Sequence, residues 1–322
     1  MTADVVTCAT EHDSRGGPGQ GPDEEFAWRS GTLLGRAIRT AARARCVARS
    51  RRAVAGLILL VLLFVLAFVG PLVSPWGWDD TDFAAFRQGP SVHHWMGTTQ
   101  SGRDVFALTL RGMQKSLLIG LFVAVVSTGL AAAVGTAAGF AGGWLDRTLM
   151  WGVDLLLVLP SFLVIAVLAP QTAGTWPTLV PLLAAFLWMI TARVVRAMTI
   201  SLREREYVLA ARFLGVRAPR VIVRHILPQL ASLLVVDASV NVSVAILAES
   251  GLSALGLGVR PPDVSLGSLI ADGQSGATAY PWPFGFAAGL LVLIVLAVNL
   301  LGDGLRDVLD PASGPRWTGG ET

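Results

Sequence analysis

The chain contains few of the residues on which metal-binding, redox or disulfide-stabilised proteins depend. Among its 322 residues there are two cysteines and four histidines. Cys8 and Cys46 provide no disulfide framework and lack the spacing of metal ligands, and no third ligand lies near His93 and His94 in the sequence. We therefore expect no redox chemistry and no metal site.

Lysine is almost absent, and this bears on nucleotide binding. The single lysine, Lys115, lies in Met-Gln-Lys-Ser without a preceding glycine-rich loop. The P-loop pattern Gly-x-x-x-x-Gly-Lys-Ser/Thr, which cradles phosphates, is therefore missing. We expect that the chain is not an enzyme, binds no ATP by a P-loop and carries no cofactor of its own.

Charge is also scarce. Charged residues make up 15% of the chain and hydrophobic residues 53%, whereas a soluble domain carries about 25% charge. This composition predicts an integral membrane protein. The fold class we expect is all-α, with six transmembrane helices drawn from the apolar runs 53–71, 116–144, the two halves of 155–192, 230–257, which includes Asp237 and Glu249, and 284–301. Pro170 to Pro177 divides the long run 155–192 and predicts a tight outer turn.

The arginines predict the orientation. Eight basic residues lie between Arg29 and Arg52 and eight between Arg193 and Arg224, whereas the outer segments hold five, namely Arg87, Arg103, Arg111, Lys115 and Arg260. Cytoplasmic loops carry the excess of basic residues, so both termini are expected in the cytoplasm of a multi-pass cell-membrane protein. This divides the chain into a disordered cytoplasmic tail (1–30), a basic arm (31–52), a first transmembrane helix (53–71), an extracytoplasmic segment (72–112), a five-helix core (113–304) and a cytoplasmic tail (305–322).

A polar, arginine-rich loop, Ser201 to Gln229, interrupts the apolar core. It predicts two short helices, with Gly215 ending the first in the left-handed conformation and Pro219 near the start of the second. Ala211 and Gly215 are expected one turn apart, on a face with little side-chain bulk. Composition leaves two interpretations open: a hairpin lying on anionic lipid, or a docking surface for a cytoplasmic partner.

The loop is similar to the cytoplasmic signature of ABC-importer permeases, Glu-Ala-Ala, three residues, Gly, nine residues, Ile-x-Leu-Pro. Ala210, Ala211, Gly215, Leu227 and Pro228 match that signature, whereas Leu209 and His225 stand at its glutamate and isoleucine positions. Glu206 lies one turn before the glutamate position. The departures weaken the expected acidic contact. The resemblance implies that the loop couples the permease to an ATPase, with Arg217 among the supporting arginines.

Further segments resemble the dipeptide and oligopeptide permeases (the peptide/nickel family), specifically their C-type subunit. The similar segments, in order, are 94–104, 201–207, 245–253, 255–263 and 299–307. The resemblance implies the type I ABC-importer permease fold and import of oligopeptides or dipeptides, with nickel as the alternative substrate. It also implies as partners a homologous B-type permease, two ATPase subunits or one two-domain ATPase that bind ATP and Mg, and an extracytoplasmic peptide-binding protein. Beyond these partners we expect contact with membrane lipid and none with nucleic acid.

Two further groups of residues are candidate sites. Glu249 and Asn241 lie inside a predicted span, where ionisable and polar groups are functional candidates; Glu249 either contacts the transport pathway at a break in the helix or forms a structural pair, and we favour the pair. The outer residues Gly97, Thr98, Gly102, Arg103 and Asp104 either contact the binding protein or partner permease or, for the last two, cap the second span, which we favour. A small-residue ridge, Gly135, Gly139 and Gly143, predicts close helix packing.

Two other classes of function remain open. In a proton-coupled secondary transporter, intramembrane carboxylates such as Glu249 would relay protons, but the sequence shows no internal inverted repeat. A membrane anchor without a pathway is the other. Proton-driven uptake by the chain alone would indicate the first of these.

Overall fold

The computed structural model describes residues 50–171 and 175–309. Their regular structure is helical, apart from two isolated β-bridges in the loop of residues 74–104, which we call the outer loop after its predicted side of the membrane. The helices are α1 (Arg51–Val73), α2 (Val105–Ala141), α3 (Gly143–Val158), α4 (Ser161–Leu168), α5 (Trp176–Arg203), α6 (Glu206–Phe213), α7 (Ala218–Val221), α8 (Leu227–Ala254), α9 (Leu266–Gln274) and α10 (Pro281–Leu309). The expected tail 1–30 and most of the basic arm lie outside the described residues, as do residues 310–322.

Helix α1 begins where Ser50 caps it and ends after Pro71. It extends the predicted first span by two residues at each end, and it packs against α10 and α2. Within the described parts of the chain, five helices are long and apolar enough to cross a membrane, or six if a bent pair counts as one span.

Helix α2 is longer than the sequence predicted. It starts at Val105 rather than Ser116, because the Asp104 carboxylate accepts a hydrogen bond from the backbone N–H of Ala107 at 2.8 Å. This confirms the cap that we favoured for Asp104. The helix ends at Ala141, before Gly142, whose φ is +65°.

The small-residue ridge on α2 is confirmed at two of its three positions. A Cβ at Gly135 would lie 2.6 Å from the carbonyl oxygen of Ala192, and one at Gly139 would lie 2.7 Å from that of Arg196, so both glycines are needed for contact with α5. Gly143 lies beyond the end of α2, where a Cβ would meet no atom within 4 Å. Its assignment to the ridge was wrong, because the four-residue spacing continues past the point where the helix stops.

The third span differs from expectation. The sequence predicted that this span begins at Leu155, but α3 already begins at Gly143 and ends at Val158. The chain then bends by 78° before α4 and the 3₁₀ turn Ala169–Gln171. Pro160 explains the break, since proline cannot donate a backbone hydrogen bond and restricts the residue before it. The centre of the predicted outer turn, residues 172–174, lies outside the described residues.

The fifth span is continuous with the second helix of the polar loop. From Ala218 to Ala254 the chain forms one helix of 37 residues, including a π-helical turn at Ile222–Ile226. The wide turn lies just before Pro228, which has no N–H to donate to the preceding turn. Leu227-Pro228 is therefore inside a helix, and the predicted span start at Leu230 was too late.

Helix α2 is central to the molecule, since it packs against α1, α3, α5, α8, α9 and α10. At about 1.5 Å per residue, its 37 residues extend about 55 Å. One end of α2 contacts the polar loop through Phe140, and we call it the hairpin end. Asp104 lies at the other end of α2, beside the outer loop, and we call this the loop end. There Trp282 donates a hydrogen bond to the Thr98 carbonyl.

Candidate functional site

At the hairpin end, α6, the turn that follows it and α7 form a hairpin over residues 206–221, and the turn is exposed. The backbone N–H of Val216 donates to the carbonyl of Ala211, and that of Gly215 donates to the carbonyl of Arg212. This is a Schellman motif, with Gly215 in the left-handed conformation at φ +75°. The predicted role of Gly215 as the helix stop is confirmed, and Pro219 lies in the first turn of α7 as predicted.

The small residues of the hairpin do not lie on one face. Ala211 is buried with Val208, Val221 and Phe140 in a small core that holds the hairpin against α2. Ala210 and Gly215 are exposed. Ala211 and Gly215 therefore do not share one open face, because the helix ends at Phe213 and the chain turns before it reaches Gly215.

The open surface of the hairpin is an apolar tip that was not predicted from the sequence. Phe213 is 89% exposed and Leu214 83% exposed, and Leu209 on the same helix is exposed to a lesser degree. Large apolar side chains with this exposure typically mark an interaction site when they are contiguous. Phe213 and Leu214 directly precede Gly215 in the sequence, but no local pattern shows that their side chains lie outside the hairpin core.

Charged groups frame the tip. Glu206 lies in the first turn of α6, where the positive end of the helix dipole stabilises a carboxylate. Arg217 is exposed at the start of α7. The guanidinium of Arg203 donates to the carbonyl of Gly139 at 3.0 Å. The guanidinium of Arg212 lies 5.5 Å from the centre of the Phe140 ring. The Arg212 contact ties the hairpin to the end of α2, and the Arg203 contact ties the end of α5 to it.

Leu227 and Pro228, the last residues of the signature, lie where the hairpin joins α8. Leu227 is half-buried and Pro228 is exposed. One helix runs through both residues, so no loop separates the hairpin from the span that follows.

Asn241 belongs to a polar cluster between three spans. Its side-chain nitrogen donates to Asp237 at 2.9 Å, and Asp237 also accepts hydrogen bonds from Thr191 on α5 at 2.7 Å and Thr128 on α2 at 3.3 Å. Asn241 is 7% exposed. The cluster therefore links α2, α5 and α8 through one carboxylate, a partnership that no local sequence pattern could indicate.

Glu249 lies within an unbroken part of α8 and is fully buried. Its Oε1 accepts hydrogen bonds from Ser253 at 2.7 Å and from Ser265, at the start of α9, at 2.6 Å. The helix break that would have accompanied a pathway contact does not occur at this residue, since α8 continues to Ala254. The arrangement matches the structural pair that we favoured, with serine hydroxyls as the partners.

The outer candidates lie in a loop that is fixed by its own chain. Gly97, Thr98, Gly102 and Asp104 are buried, and Arg103 is partly exposed. The two glycines adopt φ values of +77° and +74°, and a Cβ on either would meet backbone within 2.6 Å. Asp104 also binds the buried ring of His94 at 2.8 Å. Of these five residues, only Arg103 presents its side chain to the surface of this chain.

Two ion pairs join α3 to α5, and no local sequence pattern indicated them. Arg196 binds Asp146 through two nitrogens, and Arg193 binds Asp154. The paired residues are 50 and 39 positions apart in sequence, respectively. In the described ranges, 50–171 and 175–309, no three His, Cys, Asp or Glu side chains are grouped so that they could hold a metal ion.

Comparison with known proteins places the sequence in a family. Residues 128–314 match the family model described as binding-protein-dependent transport system inner membrane component. Residues 45–90 match the model for the N-terminal TM domain of oligopeptide transport permease C.

Two relatives extend the match to most of the chain. The oligopeptide transport system permease protein OppC of Mycobacterium tuberculosis is 59% identical over 267 residues, covering 82% of this chain and 92% of the relative. The protein of the same name from Bacillus subtilis is 35% identical over 262 residues, covering 81% and 86%. The chain therefore belongs to the family of binding-protein-dependent transport system inner membrane components, within the group of C-type oligopeptide permeases.

Proposed function

We propose that the chain is one of two permease subunits of an ATP-driven importer of oligopeptides or dipeptides. The family match and the relatives named as oligopeptide permeases support this substrate class. Energy then comes from separate ATPase subunits that bind ATP and Mg. A homologous B-type permease completes the pathway, and an extracytoplasmic binding protein delivers the peptide.

The observation that carries the coupling role is the apolar tip of the hairpin. Phe213 and Leu214 are exposed next to a left-handed Gly215, and the helix that follows is continuous with a candidate span. An ATPase that binds the tip can therefore push or pull on α8 without a flexible link. The contact surface comprises Glu206, Ala210, Gly215, Arg217 and the two apolar residues, with Ala211, Leu227 and Pro228 holding its shape.

The proposed orientation places the hairpin end in the cytoplasm. The excess of arginines near residues 29–52 and 193–224 supports this orientation. With the bent pair α3–α4 counted as one span, six spans put both termini on the cytoplasmic side of the cell membrane. The loop end, with Arg103, would then lie on the side from which the binding protein delivers the peptide.

The test is to add charge to the tip. Phe213→Asp and Leu214→Asp should leave the protein inserted and folded, because both side chains project from the surface. In the complex of all subunits, we expect the ATPase subunits to co-purify at least tenfold less and ATP-dependent, vanadate-sensitive peptide uptake to fall in proportion. A tenfold loss corresponds to about 1.4 kcal/mol of binding free energy.

A matched control lies at the opposite end of the molecule. Phe83 is 80% exposed in the outer loop, so Phe83→Asp introduces the same charge on a similarly exposed aromatic residue. This variant should retain its ATPase subunits. Equal retention by the tip variants would contradict the coupling role, as would equal loss in the control.

A further inference from the structure

At the loop end, a cavity of about 630 Å³ lies between the outer loop and the segment that joins α8 to α10. Its volume is in the range of pockets that bind small ligands. Leu108 and Ser253 are among its lining residues, and Ser253 in turn donates to the buried Glu249. The cavity therefore extends to α2 and α8. At Ser253 its wall is held in place by the buried hydrogen bond to Glu249.

The outer loop forms a rigid wall of this cavity. Thr98 and Asp104 form one β-bridge, and Thr81 and Arg103 form another. The backbone N–H of Thr99 donates to the carbonyl of Arg103 at 2.9 Å, and its hydroxyl accepts from the Arg103 N–H at 3.1 Å. These bonds fix the backbone of Arg103 and leave its guanidinium able to reach a ligand.

The opposite wall is also well supported. Ser265 and Ser268 form a capping box at the start of α9, and the N–H of Leu266 donates to the Ser116 hydroxyl at 3.1 Å. Val259, just before Arg260, is buried in the core shared by α2, α5 and α8. Walls that are ordered before a ligand arrives reduce the entropic cost of binding it.

The charge of the cavity is positive. Arg87, Arg103 and Arg260 line it, and within residues 50–171 and 175–309 the last two form no ion pair. Arg87 is partly engaged, since its guanidinium lies 5.3 Å from the centre of the Tyr280 ring.

Two acidic residues also line the cavity, and neither removes this excess. Asp263 is paired with Lys115 at 3.3 Å. Asp272 is unpaired among the described residues, and burial raises its pKa; even when ionised, this single carboxylate does not balance three arginines. The cavity thus offers two guanidinium groups that carry no carboxylate partner in the described part of the chain, and guanidinium is the side-chain group best suited to bind a carboxylate.

We propose that this cavity binds the carboxylate-bearing end of a peptide in transit, with Arg103 and Arg260 as its carboxylate ligands. The inference rests on the proposed function, because it assumes that peptides reach the loop end. It adds a peptide-binding subsite within this subunit, where the free C-terminal carboxylate of the substrate is recognised. Apolar lining residues such as Val259 and Pro262 accommodate the adjoining peptide atoms.

The test compares two peptides that differ only at this group, trialanine and trialanine amide. Initial ATP-dependent uptake is measured in proteoliposomes that contain the complete complex, at peptide concentrations below saturation. We expect the double variant Arg103→Gln and Arg260→Gln to reduce uptake of trialanine about tenfold relative to uptake of the amide. The same binding protein delivers both peptides to every variant, so its own preference cancels when the ratio is compared with that of the native chain.

One control variant accompanies the double variant. Arg147→Gln removes an exposed arginine at the hairpin end and should leave the ratio unchanged.

A second measurement applies if the amide is not transported. Ser101 is exposed and lines the cavity, so a cysteine at this position can report occupancy through its rate of reaction with a thiol reagent. Trialanine should slow the labelling of Ser101→Cys in a chain that keeps Arg103 and Arg260. It should not slow the labelling when both arginines are replaced by glutamine.

The remaining outcomes overturn the inference in different ways. Unchanged ratios and unprotected labelling would exclude a carboxylate subsite. An equal loss for both peptides, with weaker capture of the binding protein, would instead make the arginines a docking site for that protein. Absence of ATP-dependent uptake by the native complex would remove the proposed function itself, and the inference with it.

Discussion

Glu249 shows how much depends on the surroundings of a single carboxylate. Its Oε1 accepts hydrogen bonds from two serine hydroxyls, whereas its Oε2 is buried without a hydrogen-bond partner among the described residues. The two hydroxyls come from different helices, Ser253 from α8 and Ser265 from the start of α9. Both donate to the same carboxylate oxygen, so the geometry favours a link between α8 and α9.

This arrangement predicts different effects for two substitutions of Glu249. Glu249→Gln keeps the oxygen that accepts from Ser253 and Ser265, so it should retain peptide uptake and the apparent melting temperature. Glu249→Ala leaves both hydroxyls without that acceptor and should cost about 1–3 kcal/mol. Thermal unfolding of the purified complex and ATP-dependent uptake measure the two effects.

The same pair of variants tests the proton-coupled alternative. An amide cannot take part in a carboxyl proton relay, so loss of uptake in Glu249→Gln, with unchanged stability, would contradict the structural role and favour the relay.

At the scale of the helices, the contact of α2 with α5 depends on backbone proximity. Besides the carbonyl oxygens, the Val195 and Thr199 side chains would lie 2.8 Å from Cβ atoms placed at Gly135 and Gly139, respectively. Small residues allow helices to approach closely in a membrane, where lipid competes with apolar side chains for contact. The ion pairs of α3 with α5 and the polar cluster at Asp237 add partners to the same helix.

This packing predicts that Gly139→Leu is damaging and Gly129→Leu is not. Both positions lie on α2, but a Cβ at Gly129 has no atom within 4 Å. Forcing a side chain into the packed contact should cost about 1–3 kcal/mol or separate the helices. Thermal unfolding of the two variants, with the native protein beside them, measures the difference. Equal melting temperatures would show that α2 and α5 do not approach as described.

At the scale of the whole molecule, the hairpin and the charged cavity lie at opposite ends of α2. Phe140 contacts the hairpin core, and Asp104 anchors the loop that forms one wall of the cavity. A partner at one end can therefore influence the other only through the helices between them. Helix α8, which is continuous with the hairpin and carries Glu249 and Ser253, provides the most direct connection.

The proposed orientation can be tested with the native cysteines. Cys8 and Cys46 are the only two in the chain, and both precede α1. A membrane-impermeant maleimide should label them in inside-out vesicles and leave them unlabelled in intact cells stripped of their walls. Ser101→Cys, in a chain without Cys8 and Cys46, should show the opposite result. Labelling of the native cysteines from outside would reverse the orientation.

Local features were well predicted from the sequence. The turn at Gly215 depends on one residue that tolerates positive φ, and the first span depends on a contiguous apolar run; both are properties of adjacent residues. The cap at Asp104 follows from the preference of aspartate for that position. Errors arose where a pattern was extended too far, as at Gly143 and Ala211, since periodicity does not show where a helix stops.

Composition and local pattern by themselves determined that this is a helical membrane protein with an arginine-framed hairpin, because hydropathy and turn preferences act over short stretches of chain. Tertiary structure alone decided which groups meet: Ser265 with Glu249, Thr191 with Asp237, Arg196 with Asp146, and the arginines with the outer cavity. These partners are brought together by helix packing, whose geometry depends on contacts between residues that are far apart in the sequence.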